Sequence, residues 1–183
     1  MHASTDIRAH IEADALLQRE ISHALLAIAD SLTAGTDRRV VRILIRTLEA
    51  SWSEHVSFQD GVVFPILTGR HGVEVQVLID HRRAEHASLS QQHAKISHHL
   101  DSLMPAEQTI ADGLEKLLRS THMERLSHLS LDAELDGWLP ENFTDAECSL
   151  CEKWLRTHAS LRFPLSLLRQ VGQSFPRLGK WLH

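Results

Sequence analysis

The sequence predicts an all-α protein built as an up-down four-helix bundle, with an extra C-terminal helix and an apolar tail. Three observations lead to this prediction. Apolar residues recur at spacings of three and four along four long stretches, as they do on the buried face of a helix. Only 8 Gly and 5 Pro occur in 183 residues, and they fall mainly where these stretches stop. The links between the stretches are short, which is typical of an up-down bundle.

The first helix is predicted over residues 6–32, because residues that can cap a helix precede it and Gly35 follows it. The second helix is predicted over residues 38–63. We expect Phe64-Pro65 to end it, since proline interrupts the helical hydrogen-bond pattern. Residues 69–72, which read Gly-Arg-His-Gly, are predicted to form a turn.

Two more long helices and a short one follow. The third helix is predicted over residues 74–103 and the fourth over residues 106–136, and Pro or Gly residues follow both. A shorter fifth helix is predicted over residues 144–161, with Thr144 as its N-cap.

The chain is predicted to divide into the bundle, residues 1–140, and a C-terminal helix and tail, residues 141–183. No stretch rich in Pro, Gly or Ser separates the two parts. The tail is apolar with interspersed basic residues. Three roles stay open for it: packing back on the bundle, forming a homodimer or protein-partner surface, or binding to a membrane surface.

Composition narrows the classes of function. A formal net charge of −5 argues against a nucleic-acid partner, and no apolar run is long enough to predict a membrane span. The first residues lack the pattern of a signal peptide, so we expect a cytoplasmic protein. Cys148 and Cys151 are too few for a disulfide framework. They are open to three interpretations: ordinary helix residues, a redox-sensitive pair, or metal ligands.

Histidine is unusually abundant, with 14 residues in the chain. His55, His86 and His93 fall at positions predicted to be buried on two helices, and His122 falls at such a position on another. A buried imidazole without a partner costs about 1–3 kcal/mol. Inward histidines on several helices are the arrangement that a bundle uses to hold a metal in its core. The alternative is a set of hydrogen-bonded core histidines.

The segment from His55 to Phe64-Pro65 resembles the second-helix motif of the hemerythrin-like family, which carries a His-His-Glu (HHE) cation-binding motif. In that family a His is followed four residues later by Glu, and a Phe-Pro pair follows. The third-helix signature is matched by Glu85-His86, and the resemblance extends over about residues 10–140. It implies non-haem iron in the bundle core, di-iron where the site is complete, and binding of O₂ or NO or sensing of redox state.

The metal ligands that the resemblance implies include two pairs with i, i+4 spacing, which places both members on one helix face. The second helix offers His55 with Gln59, which stands where the family has Glu, and Asp60 is adjacent. The fourth helix offers His128 with Asp132, although His122 fits the apolar pattern better. His122 and His128 lie about 240° apart on a helix, so both cannot face one metal. The full set of candidate ligands is His23, His55, Gln59, Asp60, His86, His122, His128 and Asp132.

Three functions therefore remain open from the sequence. The first is a hemerythrin-like protein with iron. The second is a metal-free bundle of the same kind that acts as a regulatory or protein-interaction module, and the third is haem binding by the core histidines. No phosphate-binding loop and no Ser-His-Asp arrangement occurs, so an enzymatic activity is not predicted.

Overall fold

A computed structural model describes residues 3–32, 38–101 and 108–158, and every regular element within these ranges is helical. The all-α class predicted from the sequence is therefore confirmed. The elements are α1 (Ala3–Ser31), α2 (Arg38–Phe58), a π-helical segment (Gln59–Val63), α3 (Phe64–His71), α4 (Val73–Asp101), α5 (Gln108–Asp136) and α6 (Asp145–His158).

The four long helices pack against one another in pairs. Helix α1 contacts α2 and α5, and α4 contacts the same two helices. Buried apolar residues form two clusters, and the π segment, α3 and α6 contribute to the second of them. One contains Ile21, Leu25, Leu44, Ile96 and Leu118, and the other contains Phe58, Val62, Phe64, Ile79, Leu135 and Trp154. On each long helix, buried polar side chains lie between the positions that contribute to these clusters, and together they form a polar layer.

The prediction that Phe64-Pro65 ends the second helix is wrong. The backbone N–H of Phe64 bonds the carbonyl of Gln59, five residues back, and the chain stays helical through the π segment. Pro65 then lies in the first turn of α3, where its missing N–H costs little. The helical path ends only at Gly72, which has φ of 58° and donates to the Thr68 carbonyl. Residues 69–71 are accordingly helical and not part of a turn.

Helix α6 packs against α1 and the π segment. Its N-terminus is closed by a capping box, in which the Glu147 N–H donates to Thr144 Oγ1 and the Thr144 N–H donates to Glu147 Oε2. Arg70 at the end of α3 donates two hydrogen bonds of 2.7 Å to the Glu147 carboxylate. The hydrogen bond to Thr144 Oγ1 confirms the predicted N-cap.

Several predictions concern parts of the chain outside the described residues. The apolar tail, with its predicted packing, partner surface or membrane binding, lies beyond residue 158. The end predicted for the third helix at residue 103, the start of the fourth at residues 106 and 107, and the end of the fifth at residue 161 lie outside them as well. Among the helices that are described, none combines the length and the apolar character needed to cross a membrane.

Candidate metal centre

Three histidines from three helices meet in the polar layer. His55 on α2, His86 on α4 and His128 on α5 are all buried. Each has a ring nitrogen within 4.8 Å of a ring nitrogen of the other two. The prediction that His55 and His86 lie inside and face a common volume is confirmed. We call His55, His86 and His128 the histidine cluster.

Asp132 completes a triangle of ligand atoms with two of these histidines. The Nε2 atoms of His55 and His128 lie 3.2 Å apart. Oδ2 of Asp132 lies 3.5 Å from the first and 3.3 Å from the second. Metal–ligand bonds of about 2.1 Å place neighbouring ligand atoms about 3.0–3.4 Å apart in octahedral or tetrahedral geometry. The triangle thus has close to the dimensions of one face of a coordination polyhedron.

Two outer carboxylates determine which nitrogen of each ring carries the hydrogen. Nδ1 of His55 lies 2.6 Å from Asp14 Oδ2, and Nδ1 of His128 lies 3.2 Å from Glu85 Oε2. An ionised carboxylate can only accept, so each ring carries its hydrogen on Nδ1. In the neutral rings both Nε2 atoms are therefore bare lone pairs. Outer carboxylates of this kind orient the histidines of metal sites and raise their basicity.

The electrostatic environment shifts the pKa values of the three imidazoles in different directions. Burial opposes a charge on His55, but the Asp14 carboxylate outweighs burial and raises the pKa of this imidazole above its ordinary value. Burial, together with the positive charge of His55, lowers the pKa of His86 to about 4. Burial and the cations of His55 and Arg82 lower the pKa of His128 further. Two of the three rings are thus neutral near pH 7, as a metal ligand must be.

Arg82 on α4 is buried beside the triangle. Its guanidinium donates to Asp132 Oδ1 at 2.6 Å and to the His128 carbonyl at 2.6 Å, and it also pairs with Glu85. Asp132 therefore uses one oxygen for Arg82. Its other oxygen, Oδ2, is buried and has no hydrogen-bond partner among the described residues.

A small cavity opens beside the triangle. Its volume of about 20 Å³ is enough to hold one water-sized ligand. Its polar lining comes from Asp14, His55, Gln59, Asp132 and Asp136. Oε1 of Gln59 is buried and has no hydrogen-bond partner among the described residues. Burial, reinforced by the charge of Asp132, raises the pKa of Asp136 to about 6.

Aromatic rings enclose the site on another side. The ring of Trp52 stacks on His55 at 5.0 Å, and Phe64 stacks on His86 at 6.0 Å. The Trp52 indole N–H donates to Ser90 Oγ at 2.9 Å, so the polar atom of this buried ring has a partner. Such a shell excludes water from the ligand atoms on this side and strengthens the electrostatic interactions among them.

A second buried polar network borders the site. Arg125 donates to Nε2 of His93 at 3.1 Å and lies over the ring of Trp52 at 5.1 Å. Burial and then Arg125 lower the pKa of His93 to about 3, and burial lowers the pKa of Arg125 to about 9. Gln18 accepts from Arg125 and donates to Asp14, which links this network to the histidine cluster.

The other predicted ligands lie elsewhere. Asp60 is exposed and pairs with Arg83 at 2.9 Å. His122 is buried, and its Nδ1 lies 2.9 Å from the Ser22 carbonyl, to which it can donate. The ring of His23 packs 5.7 Å from that of His122, so these two histidines form a separate pair. Of the predicted set, the structure gathers His55, His86, His128 and Asp132, with Gln59 lining the adjoining cavity.

Asp14 and Arg82 were not among the candidates, although the pattern contained a signal for both. Asp14 lies seven residues after Ile7 and seven before Ile21, on the apolar face of α1. Arg82 lies between Ile79 and His86 on the buried face of α4. A charged side chain on a buried face needs a partner, and that requirement could have identified them.

Comparison of the chain with protein-family models, curated proteins and solved structures found no match.

Proposed function

We propose that the protein is a hemerythrin-like four-helix bundle that binds non-haem iron in its core and uses the metal to bind a diatomic ligand, O₂ or NO, or to sense redox state. The observation that carries the proposal is the triangle formed by Nε2 of His55, Nε2 of His128 and Oδ2 of Asp132. Three electron-rich atoms face one another within 3.5 Å, and each ring is held with its hydrogen on the opposite nitrogen.

Such a triangle needs a cation at its centre. Lone pairs that face one another in a buried site repel, and the ordinary solutions are a shared proton or a metal ion. His86 favours the metal, because both of its ring nitrogens are buried without a hydrogen-bond partner among the described residues. A proton on His55 would leave the His86 nitrogens unsatisfied, whereas a metal could take one of them as a further ligand.

The donor set suits iron. Three imidazoles and one carboxylate, with no thiolate in the cluster, match borderline cations such as Fe²⁺, although Zn²⁺ and Mn²⁺ can use the same donors. One feature agrees with the hemerythrin-like resemblance: His128 and Asp132 provide an i, i+4 pair on α5. Gln59, four residues after His55, keeps the spacing of the family motif but stands where the family has Glu. The cavity beside the triangle has room only for a small ligand of a few atoms.

The alternatives differ in what supports them. The metal-free bundle is supported by the raised pKa of His55, because a protonated His55 can donate to both Asp14 and His128. Haem binding has weaker support, since the cavity at the cluster is far smaller than a porphyrin.

The decisive experiment is metal analysis of the purified protein and of protein reconstituted with Fe²⁺ without oxygen. We expect bound iron in the wild type, loss of iron in His86→Ala, and no change in the control His99→Ala, which alters an exposed histidine on the same helix. NO added to the ferrous protein should give an iron–nitrosyl EPR signal. A folded wild type that binds no iron even in excess Fe²⁺ would contradict the proposal and leave the metal-free bundle.

A further inference from the structure

The position of Arg82 points to the number of metal ions at this site. We infer that the centre binds one divalent cation and not a pair, because the guanidinium of Arg82 permanently occupies the place and the charge of a second cation. The inference rests on the proposed function in one respect: it takes the histidine cluster and Asp132 as a metal site.

The first argument concerns the oxygens available to a second ion. Two metals held side by side need carboxylates that bridge them. Oδ1 of Asp132 accepts from Arg82 at 2.6 Å, so only Oδ2 is left for a metal. Glu85 Oε2 is shared between Arg82 and Nδ1 of His128. The guanidinium thus takes an oxygen of both carboxylates that α4 and α5 direct toward the cluster.

The second argument concerns charge. Asp14, Glu85, Asp132 and Asp136 bring four negative charges, and Arg82 and Arg125 bring two positive charges, so with neutral imidazoles the site carries a net charge of two negative. One divalent cation balances this charge. A second would leave two uncompensated positive charges in a buried site, which is strongly unfavourable.

The third argument is that Arg82 is held in place. Its side chain is fully buried and tied to α5 through Asp132 and the His128 carbonyl. A guanidinium is a cation that offers donors only, so it cannot itself bind a metal. It is therefore a fixed cation, and it also orients Asp132 so that Oδ2 faces the two Nε2 atoms.

A single ion leaves a defined coordination sphere. Nε2 of His55, Nε2 of His128 and Oδ2 of Asp132 would hold the ion together with a nitrogen of His86. The adjoining cavity, which Gln59 and Asp136 help to line, has room for one water-sized ligand. The site is then a mononuclear centre with three imidazoles, one carboxylate and one position for a small exogenous ligand.

The test is the stoichiometry of metal binding by the full chain. Metal-free wild type is titrated with Fe²⁺ without oxygen, and bound metal is counted by equilibrium dialysis up to saturating Fe²⁺. We expect one ion per chain. Arg82→Lys keeps the charge and should also bind one ion. Arg82→Met removes the charge at similar volume and should bind up to two ions in excess Fe²⁺. Arg83→Met, a neighbouring exposed arginine, is the matched control and should stay at one ion.

A second measurement keeps the test valid even where Arg82→Met does not fold. Wild type loaded with Mn²⁺ should give the EPR spectrum of an isolated ion. An exchange-coupled pair in this spectrum, or two ions per wild-type chain, would overturn the inference. A folded Arg82→Met protein that still binds one ion would overturn it too. Wild type that binds no metal would instead contradict the proposed function, so the two failures are distinguishable.

Discussion

Nε2 of His55 and Nε2 of His128 face each other at 3.2 Å, while Asp14 and Glu85 hold the hydrogen of each ring on the far nitrogen. This relationship makes the core of the protein a place that attracts a cation. In the metal-free protein a proton on His55 can take the place of that cation, and a bound metal ion would have to displace the proton. We therefore expect His55 to contribute to the stability of the metal-free protein, and His86 to contribute only to metal affinity.

His86 separates these two contributions most clearly. Both of its ring nitrogens are buried without a hydrogen-bond partner among the described residues. We therefore expect His86→Leu to stabilise the metal-free protein by about 1–3 kcal/mol, since it removes unsatisfied polar atoms. The same change should greatly weaken Fe²⁺ binding, because one ligand is lost.

Urea unfolding of wild type and His86→Leu, each with and without Fe²⁺, measures both effects. Fe²⁺ should raise the free energy of unfolding of the wild type and leave that of the variant nearly unchanged. A variant that is less stable than wild type in the absence of metal would mean that His86 has a structural role in the metal-free fold.

Asp14 tests the outer carboxylates. Asp14→Asn keeps the shape of the side chain but removes the charge that fixes the His55 hydrogen on Nδ1. We expect metal affinity to fall by about 10–100-fold, the usual effect of losing such a partner. Asp30→Asn on the same helix, which pairs with Arg119 at the surface, is the control. Competition with a chelator measures the affinities, and equal values for Asp14→Asn and wild type would contradict the assigned role.

The buried face of each helix could be predicted from the sequence, and with it the inward positions of His55 and His86. The periodicity of apolar residues reports which side of a helix is buried. It does not report which buried polar residue meets which other one. His122 and His128 are both buried on α5, and only the partners decide between them: Ser22 for His122, and Glu85 with His55 for His128.

The prediction that Phe64-Pro65 ends the second helix is wrong for a physical reason. A proline normally stops a helix because it lacks an N–H. Here the π segment shifts the hydrogen bonds to the i−5 carbonyl, and Pro65 begins a new helical stretch. The Gly61 side of this segment faces α6, where a Cβ would lie 3.2 Å from Trp154. Nothing in the local sequence indicates that neighbour, which lies 93 residues farther along the chain.

The contact between Arg70 and Glu147, which holds the start of α6, should contribute less stability at acidic pH. Hydrogen bonds from Arg70 lower the pKa of Glu147 from 4.5 to about 2. A depressed carboxyl pKa contributes stability above the unfolded-state value, and that contribution is lost as the pH falls from about 4.5 to about 2. The pair is partly exposed, so we expect a small effect.

The measurement is the difference in melting temperature between wild type and Glu147→Gln across this pH range. The difference should shrink as the pH falls. Glu152→Gln, an exposed residue on the same helix, should show a smaller difference throughout. A Glu147→Gln difference that stays constant down to about pH 2 would show that the ion pair does not hold α6.

Gln59 gives the sharpest separation between iron and metal-free interpretations. Its Oε1 is buried beside His55 and Asp132, and it lacks a hydrogen-bond partner among the described residues. A carboxylate offers a charge and two oxygens to a hard cation, whereas an amide offers one neutral oxygen. We therefore expect weak iron binding in the wild type and tighter binding in Gln59→Glu.

The two interpretations predict opposite signs for stability when iron is added. Without metal, Gln59→Glu buries a further negative charge near Asp14 and Asp132, and it should lower the free energy of unfolding by several kcal/mol. With saturating Fe²⁺ an iron site should restore that loss, so that the variant melts above wild type. Gln91→Glu, an exposed position on α4, is the matched control and should respond to neither condition. If Gln59→Glu melts below wild type both with and without Fe²⁺, the iron site is wrong, and a metal-free hydrogen-bonded core becomes the better account.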